Sequence, residues 1–453
     1  MEFNPLPIIL AAIGIYFLIR LRFFFIIHPI RTAARGLRAV SDRRAFHSFS
    51  LALAGTLGVG NVFGVAIGIM LGGAGSLFWL FISMFFAMVI KYAEVVIAGD
   101  NLYHDADTHG GIYYVIRSSF CRFGRPLSII YAAVTVGLSL VMGAALQSDA
   151  VIESIRLDLD YQRHILAFML ISFVLISILG GTVKIERITA VVIPLTTLIY
   201  IFMATGIIVS NIERFWKTVD LILKSAFSFK SVMGGGVSFL FSLPLREGFA
   251  RGILSNEAGA GTSSTAHSRS GVLSPASAGI LGIFEVWFDT GLICMLTGFS
   301  ILLSVPDTAA FESGMELINY SVGNLFGTSG KYMLLFCIFA FAFATVICWY
   351  YYGSEAWSNL FGKGKRALFL PIFILFVYIG AFLDTMVLVF VTDLLMLLAT
   401  LLTLSALIKN SDRIIDLSES GGVIDSERIR LRRLRVKSIR IKGNESSREA
   451  RRR

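Results

Sequence analysis

Charge is scarce in this chain. Asp, Glu, Lys and Arg make up 15% of its 453 residues, against 56% hydrophobic, and the mean hydropathy is +0.76. A soluble domain cannot hide that much apolar surface, so the sequence reads as an integral membrane protein. Alternating segments of about ten residues are missing, which excludes a transmembrane β-barrel. Cysteines are few. Cys121, Cys294, Cys337 and Cys348 show no spacing that suggests a disulfide framework or a metal site. No positive charge precedes the first apolar run; Glu2 comes before it, and Arg20 and Arg22 follow. A cleaved signal peptide carries its positive charge in front. This helix is therefore expected to be retained, as an uncleaved anchor or a first transmembrane helix. No nucleophile–base pair or metal cluster shares a common depth, which argues against an enzyme.

What the chain has is long apolar runs. About eleven spans are expected, at roughly 6–27, 48–72, 75–98, 128–148, 165–183, 188–210, 236–262, 277–303, 332–358, 367–384 and 386–408. The fold class is all-α and polytopic. Basic residues in short loops set the orientation. Arg31, Arg35, Arg38, Arg43 and Arg44 place the first loop in the cytoplasm. Alternate loops agree: Arg117, Arg122 and Arg125; Lys184 and Arg187; Arg269; then Lys363, Lys365 and Arg366. The opposite loops are more acidic, with Asp149, Glu153, Asp158 and Asp160, then Asp307, Glu312 and Glu316. The loop with Lys217 and Lys224 is mixed and fits less well. The N-terminus is expected outside and the C-terminus in the cytoplasm. The tail after Lys409 reads IRLRRLRVKSIRIKG and ends in RRR, producing most of the net charge of +10. It is expected to be a solvated basic tail, with contact to anionic lipid as the functional alternative. Its alternating pattern also allows a short strand or an interfacial segment.

Two polar, glycine-rich stretches interrupt the apolar runs. GTLGVGN, Gly55–Asn61, puts three glycines into six positions, and glycine costs a helix about 1 kcal/mol relative to alanine. Free backbone groups at membrane depth are tolerated only against protein, ligand or a cavity. An interrupted helix is thus a candidate binding site, its half-helix N-terminus favouring a carboxylate and its free carbonyls a cation. Close packing through small residues is the plainer alternative, weakened by the polar Thr56 and Asn61. A phosphate loop is disfavoured, because the spacing is not GxGxxG and no strand precedes it. SNEAGAGTSS, Ser255–Ser264, repeats the pattern and adds Glu257. A charged glutamate facing lipid costs at least about 2.5 kcal/mol, so Glu257 needs polar partners or a proton. Ser255, Asn256, Gly259 and Gly261 supply partners or loosen the helix. A plain cytoplasmic loop is the alternative.

The interruptions fall in spans two and seven. Five spans between equivalent positions is the pattern of an inverted-repeat transporter. The expected organisation is 1–47 as an extra helix with a basic loop, 48–235 and 236–409 as the two repeats, and 410–453 as the tail.

GTLGVGNVFGVAIGIMLGGAGSLFW, followed by KYAEV and GGIYYVI, resembles the alanine or glycine:cation symporter family. REGFARGILSNEAGAGTSSTAH resembles that family's second signature, and WYYYGSEAWSNLFG a third. The similarity covers roughly residues 30–410. It implies a LeuT-type fold and sodium-coupled uptake of a small neutral amino acid, alanine or glycine, across a bacterial inner membrane. It also implies roles for residues. The substrate carboxylate meets the first break, Thr56, Leu57, Gly58, Gly60 and Asn61; its ammonium meets Ser255, Asn256 and Gly259; and Gln147 faces it. Sodium sits among Ala54, Leu57, Asn61 and Thr345. The implied partners are therefore the amino acid, sodium and the bilayer, with no nucleic acid and no cofactor.

The sequence departs from the family in several places. Ala344 stands where a serine is usual, Ala144 aligns with a family asparagine, Asp149 replaces an amide, and the last span lacks a Pro-Asn pair. Ala344 leaves the number and identity of the coupling ions open. Proton coupling, exchange and a transporter-like sensor, whose basic tail could serve signalling, stay as alternatives. HDADTHG, His104–Gly110, looks like a metal site but falls in a polar loop. Arg246, Glu247 and Arg251 are expected to form a cytoplasmic ion pair or gate, or to be plain helix-end charges. Trp79, Trp287 and Trp357 are expected to be interfacial or packing residues.

Overall fold

The computed structural model describes residues 6–100, 111–156, 162–227, 242–268, 274–305, 310–311 and 313–424. Among them there is no strand. Six helical stretches are long and apolar enough to cross a membrane: Ser76–Ala98, Cys121–Arg156, Gly181–Ser210, Pro275–Ser304, Gly314–Phe361 and Thr385–Lys409. A bent pair, Arg43–Thr56 with Val59–Gly72, makes a seventh. The chain is a multi-pass all-α membrane protein.

The helices used below are α1 (Leu6–Arg20), α2 (Pro29–Val40), α3 (Arg43–Thr56), α4 (Phe63–Gly72), α5 (Ser76–Ala98) and α6 (Ile112–Ser119). Next come α7 (Gly124–Leu138), a π-helical stretch Ser139–Ala145, and α8 (Leu146–Arg156). Then follow α9 (Arg163–Ile178), α10 (Gly181–Ser210), α11 (Phe215–Ala226), α12 (Leu243–Asn256) and α13 (Ser263–His267). The C-terminal part holds α14 (Pro275–Val286), a second π stretch Trp287–Cys294, α15 (Met295–Ser304), α16 (Gly314–Phe361), α17 (Phe369–Gly380), α18 (Thr385–Lys409) and α19 (Ser411–Ser420).

In lipid, apolar side chains gain little by leaving the tails for one another, so helices associate through close packing and polar contacts. Gly143 shows the first device: a Cβ there would lie 2.2 Å from the Trp349 Cβ. The second appears between α5 and the break after α12, where Lys91 donates to Ser263. Helix α5 packs against α1, α12 and α14, and most of its span is buried in protein. It is the central post of the bundle.

Three expectations about boundaries change. Helix α16 starts at Gly314, well before 332, because Ser313 caps it by accepting the Glu316 N–H; the chain then kinks at Gly327, φ 57°. Glu316 is therefore helical rather than in a loop, as are the expected loop residues Asp149 and Glu153 in α8. The mixed-charge segment with Lys217 and Lys224 is helix α11, lying against the start of α5, where Trp79 Nε1 donates to the Ala226 carbonyl. The beginning of the expected tail is docked: α19 receives a Tyr92 hydroxyl on Ser418 at 2.8 Å, and Arg413 reaches Asp100 at 2.6 Å. Both strap the tail to the end of α5. IRLRRLRVKSIRIKG, HDADTHG, Arg269, Asp158, Asp160, Asp307 and Glu312 lie outside the described residues.

Candidate binding site at the first helix break

Helix α3 ends at Thr56. Leu57 and Gly58 are not helical, a 3₁₀ turn runs Val59–Asn61, and α4 departs at 63°. Every backbone group set free here needs a partner. Gln147, just beyond the first π stretch, supplies one by accepting the Val59 N–H at 3.2 Å. Thr345 of α16 supplies another: its hydroxyl lies 3.4 Å from the Leu57 carbonyl and 2.9 Å from that of Phe341. Gly58 sits between them. A Cβ there would lie 3.1 Å from both Gln147 Oε1 and Thr345 Oγ1. Trp349 Nε1 donates to the Gly55 carbonyl. Three side chains thus hold the break open.

A cavity of about 310 Å³ adjoins it, lined by Thr56, Gly58, Gly60, Asn61, Gln147, Ser255 and Thr345. These residues, far apart in sequence, share one wall. Asp149, Glu153, Arg251 and Asp393 also line it, and Glu153, 40% exposed, stands at its mouth. Ala54 and Leu57 are buried behind the wall.

Asn256 and Gly259 do not line the cavity. The Asn256 amide donates to the Gly252 carbonyl and to Thr290, while its oxygen accepts the Ala258 N–H. The Gly259 N–H donates to Glu94. These contacts tie the second break to α5 and the second π stretch and keep Asn256 and Gly259 off the cavity wall. Glu257 sits at that break with φ 53°, buried, accepting from Thr262 at 2.7 Å. Gly259 and Gly261, with φ of 90° and 79°, continue the turn.

Arg246, Glu247 and Arg251 form an ion-paired group on α12. Glu247 lies between the two arginines, 2.9 Å from Arg246 and 3.6 Å from Arg251. Built Cβ atoms on Gly72 and Gly68 would touch Glu247 and Arg251. The group therefore packs along α4, toward the end of the α3–α4 pair remote from the Arg31–Arg44 segment. That is the mouth side, not the basic side.

Asp289 went unnoticed in the sequence. It lies in the second π stretch, and π stretches often mark functional sites. Its carboxylate accepts from Asn61, from Ser255 at 2.6 Å and from Thr290 at 2.8 Å. The Asn61 side-chain oxygen is buried and has no hydrogen-bonding partner among the described residues. An acid inside an apolar run was the available signal. The same signal marks Lys91, Glu94 and Glu285. Ala344 is fully buried beside Thr345 and offers no oxygen side chain.

A profile of the sodium:alanine symporter family matches residues 2–419. The chain belongs to that family. Relatives of this symporter-family protein include the sodium/alanine symporter AgcS of Methanococcus maripaludis, 28% identical over 392 residues, covering 83% of this chain and 84% of that protein. The amino-acid carrier protein AlsT of Bacillus subtilis is 29% identical over 372 residues, covering 78% and 77%. A third, named as a probable sodium/glutamine symporter, GlnT of Bacillus subtilis, is 29% identical over 374 residues, covering 80% and 76%. The family is one of transporters, not of enzymes, and the chain is a cation-coupled amino-acid transporter.

Proposed function

We propose that the protein couples sodium entry to uptake of alanine or glycine by alternating access. The observation that carries this is one break serving two purposes. Its far side, Gly58–Asn61, lines the cavity and leads into the N-terminal end of α4, which suits a substrate carboxylate. Its near side points the Leu57 carbonyl at the Thr345 hydroxyl, which suits a cation with Ala54 and Asn61 as further ligands. Ser255 contributes from the second break. A volume of about 310 Å³ is at the low end for small-molecule pockets, about 300–1,000 Å³, in keeping with a small amino acid. Each charge bound at the break stabilises the other, so their binding is reciprocal.

The remaining expectations join this reading: eleven spans, a LeuT-type inverted five-plus-five repeat, a bacterial inner membrane, the N-terminus outside, and a solvated basic tail, with anionic lipid as its alternative partner. The cavity mouth then faces outward, since it lies opposite the Arg31–Arg44 segment. Proton coupling is the second reading, favoured by Ala344 beside Thr345.

Radiolabelled alanine and glycine uptake into proteoliposomes, with and without an inward sodium gradient, tests the proposal. Concentrative, sodium-dependent uptake supports it. Undiminished uptake when choline replaces sodium at fixed pH overturns sodium coupling.

A further inference from the structure

Beneath the cavity, toward the basic end of the bundle, three elements meet in a closed charged cluster. Helix α5 brings Lys91 and Glu94, the second break and α13 bring Glu257, Ser263 and His267, and α14 brings Glu285. Each is 1% exposed or less, and none lines the cavity. Lys91 donates to Ser263 at 2.8 Å and lies 3.3 Å from Glu285. Ser263 donates to Glu285 at 2.8 Å, and His267 Nε2 is 2.8 Å from its other oxygen. Glu285 is therefore fully engaged.

The other two carboxyls are not. Glu94 accepts the Gly259 N–H through one oxygen, and Glu257 accepts the Thr262 hydroxyl through one. Each second oxygen is buried without a hydrogen-bonding partner among the described residues. Both carboxyls lie within electrostatic reach of Lys91.

Three carboxylates thus share one ammonium and one imidazole. Fully ionised, the cluster carries two excess negative charges, or one with His267 protonated. The groups facing it from other elements add no positive charge: Tyr131 of α7, Cys348 and Tyr352 of α16, Thr400 and Thr403 of α18, and Asp289 farther along the α14 stretch. Buried uncompensated charge is avoided by taking up a proton or a counter-ion. A proton needs one free oxygen and no room, whereas hard cations such as calcium or magnesium need a shell of several oxygens.

We propose that the cluster is a proton-binding site, with one proton held on Glu94 or Glu257 while the second break is packed as seen here. The proton exchanges with water at the basic end when α12 and α13 part. Its loss leaves a further uncompensated negative charge buried at the break and favours opening. The occupancy stands on the cluster alone. Its consequence, a cycle that responds to pH at the basic end, rests on the transport reading above.

Infrared spectroscopy of the full-length protein with ¹³C-labelled glutamate separates the two. A neutral carboxyl shows a C=O stretch that ionised carboxylates lack, and the label separates Glu from Asp. The expected result at pH 7 is a label-shifted neutral-carboxyl band that is lost in Glu94→Gln or in Glu257→Gln. No such band in the wild type overturns the proposal, whether or not the variants fold. A band that sodium chloride abolishes and choline chloride does not also overturns it, because the site then takes sodium. If the band is found but no alanine or glycine uptake occurs at any pH, the transport reading fails and the proton site stands.

Discussion

Thr345 illustrates how much one hydroxyl does here. It spans the Leu57 and Phe341 carbonyls, and with Ala344 beside it there is no second hydroxyl to share the work. Thr345→Ala is expected to raise the sodium concentration for half-maximal uptake about tenfold or more, equivalent to about 1.4 kcal/mol of cation binding. Thr345→Ser is expected to stay near wild type, because the hydroxyl is kept; sodium titration of uptake checks both. Gly58 is constrained from two sides. A methyl there meets Gln147 and Thr345 at 3.1 Å, tighter than ordinary contact, so one of them has to move. Displacing such groups by a fraction of an ångström to an ångström costs up to about a hundredfold in rate. Gly58→Ala is therefore expected to lose most uptake while the protein still purifies as a folded monodisperse species, read by size-exclusion chromatography beside the uptake assay.

At the scale of elements, the two breaks are built differently. The first is propped apart by side chains from neighbouring helices, Gln147, Thr345 and Trp349. The second is also held by neighbouring side chains, Glu94, Tyr131 and Thr403, but its path turns on backbone that the first lacks, with Glu257, Gly259 and Gly261 all in the left-handed region. At Gly261 a Cβ would meet Ile112 and the Tyr131 hydroxyl at 2.8 Å. Gly261→Ala adds that clash to a left-handed penalty of about 1–2 kcal/mol. A lower thermal unfolding temperature than wild type is expected, and a light-scattering or dye-based melt decides it; an unchanged melt would mean that the break relaxes freely.

For the whole molecule, the charge pattern and the cavity agree on direction. Arg31–Arg44 and the α19 docking site mark one end, and Glu153, Ser313 and Thr385 mark the other. In a background lacking the exposed Cys121, Ser313→Cys is expected to react with an impermeant maleimide on intact cells. Arg38→Cys is expected to react only after permeabilisation. The reverse pattern would invert the proposed orientation and the direction of uptake with it. The potential adds about 2.3 kcal/mol per charge per 100 mV to whatever ion enters from the mouth side.

The sequence by itself determined the membrane class, the helical fold and the position of the first break. Apolar run length and glycine content are local quantities, and lipid leaves the backbone little choice but helix. It also brought Thr56, Gly58, Gly60, Asn61, Gln147, Ser255 and Thr345 into consideration, through resemblance to the family. Only the tertiary structure decided which of these share a wall, and it turned Asn256 and Gly259 away. Their polar groups are satisfied in part by Thr290 and Glu94, partners that no local pattern names. The same holds for Asp289, Lys91, Glu94 and Glu285. Each looks like a stray charge in an apolar run, and its meaning depends on a partner far along the chain. Whether a buried charge is compensated is a property of the packed bundle, because only packing fixes which opposite charges and donors lie within reach.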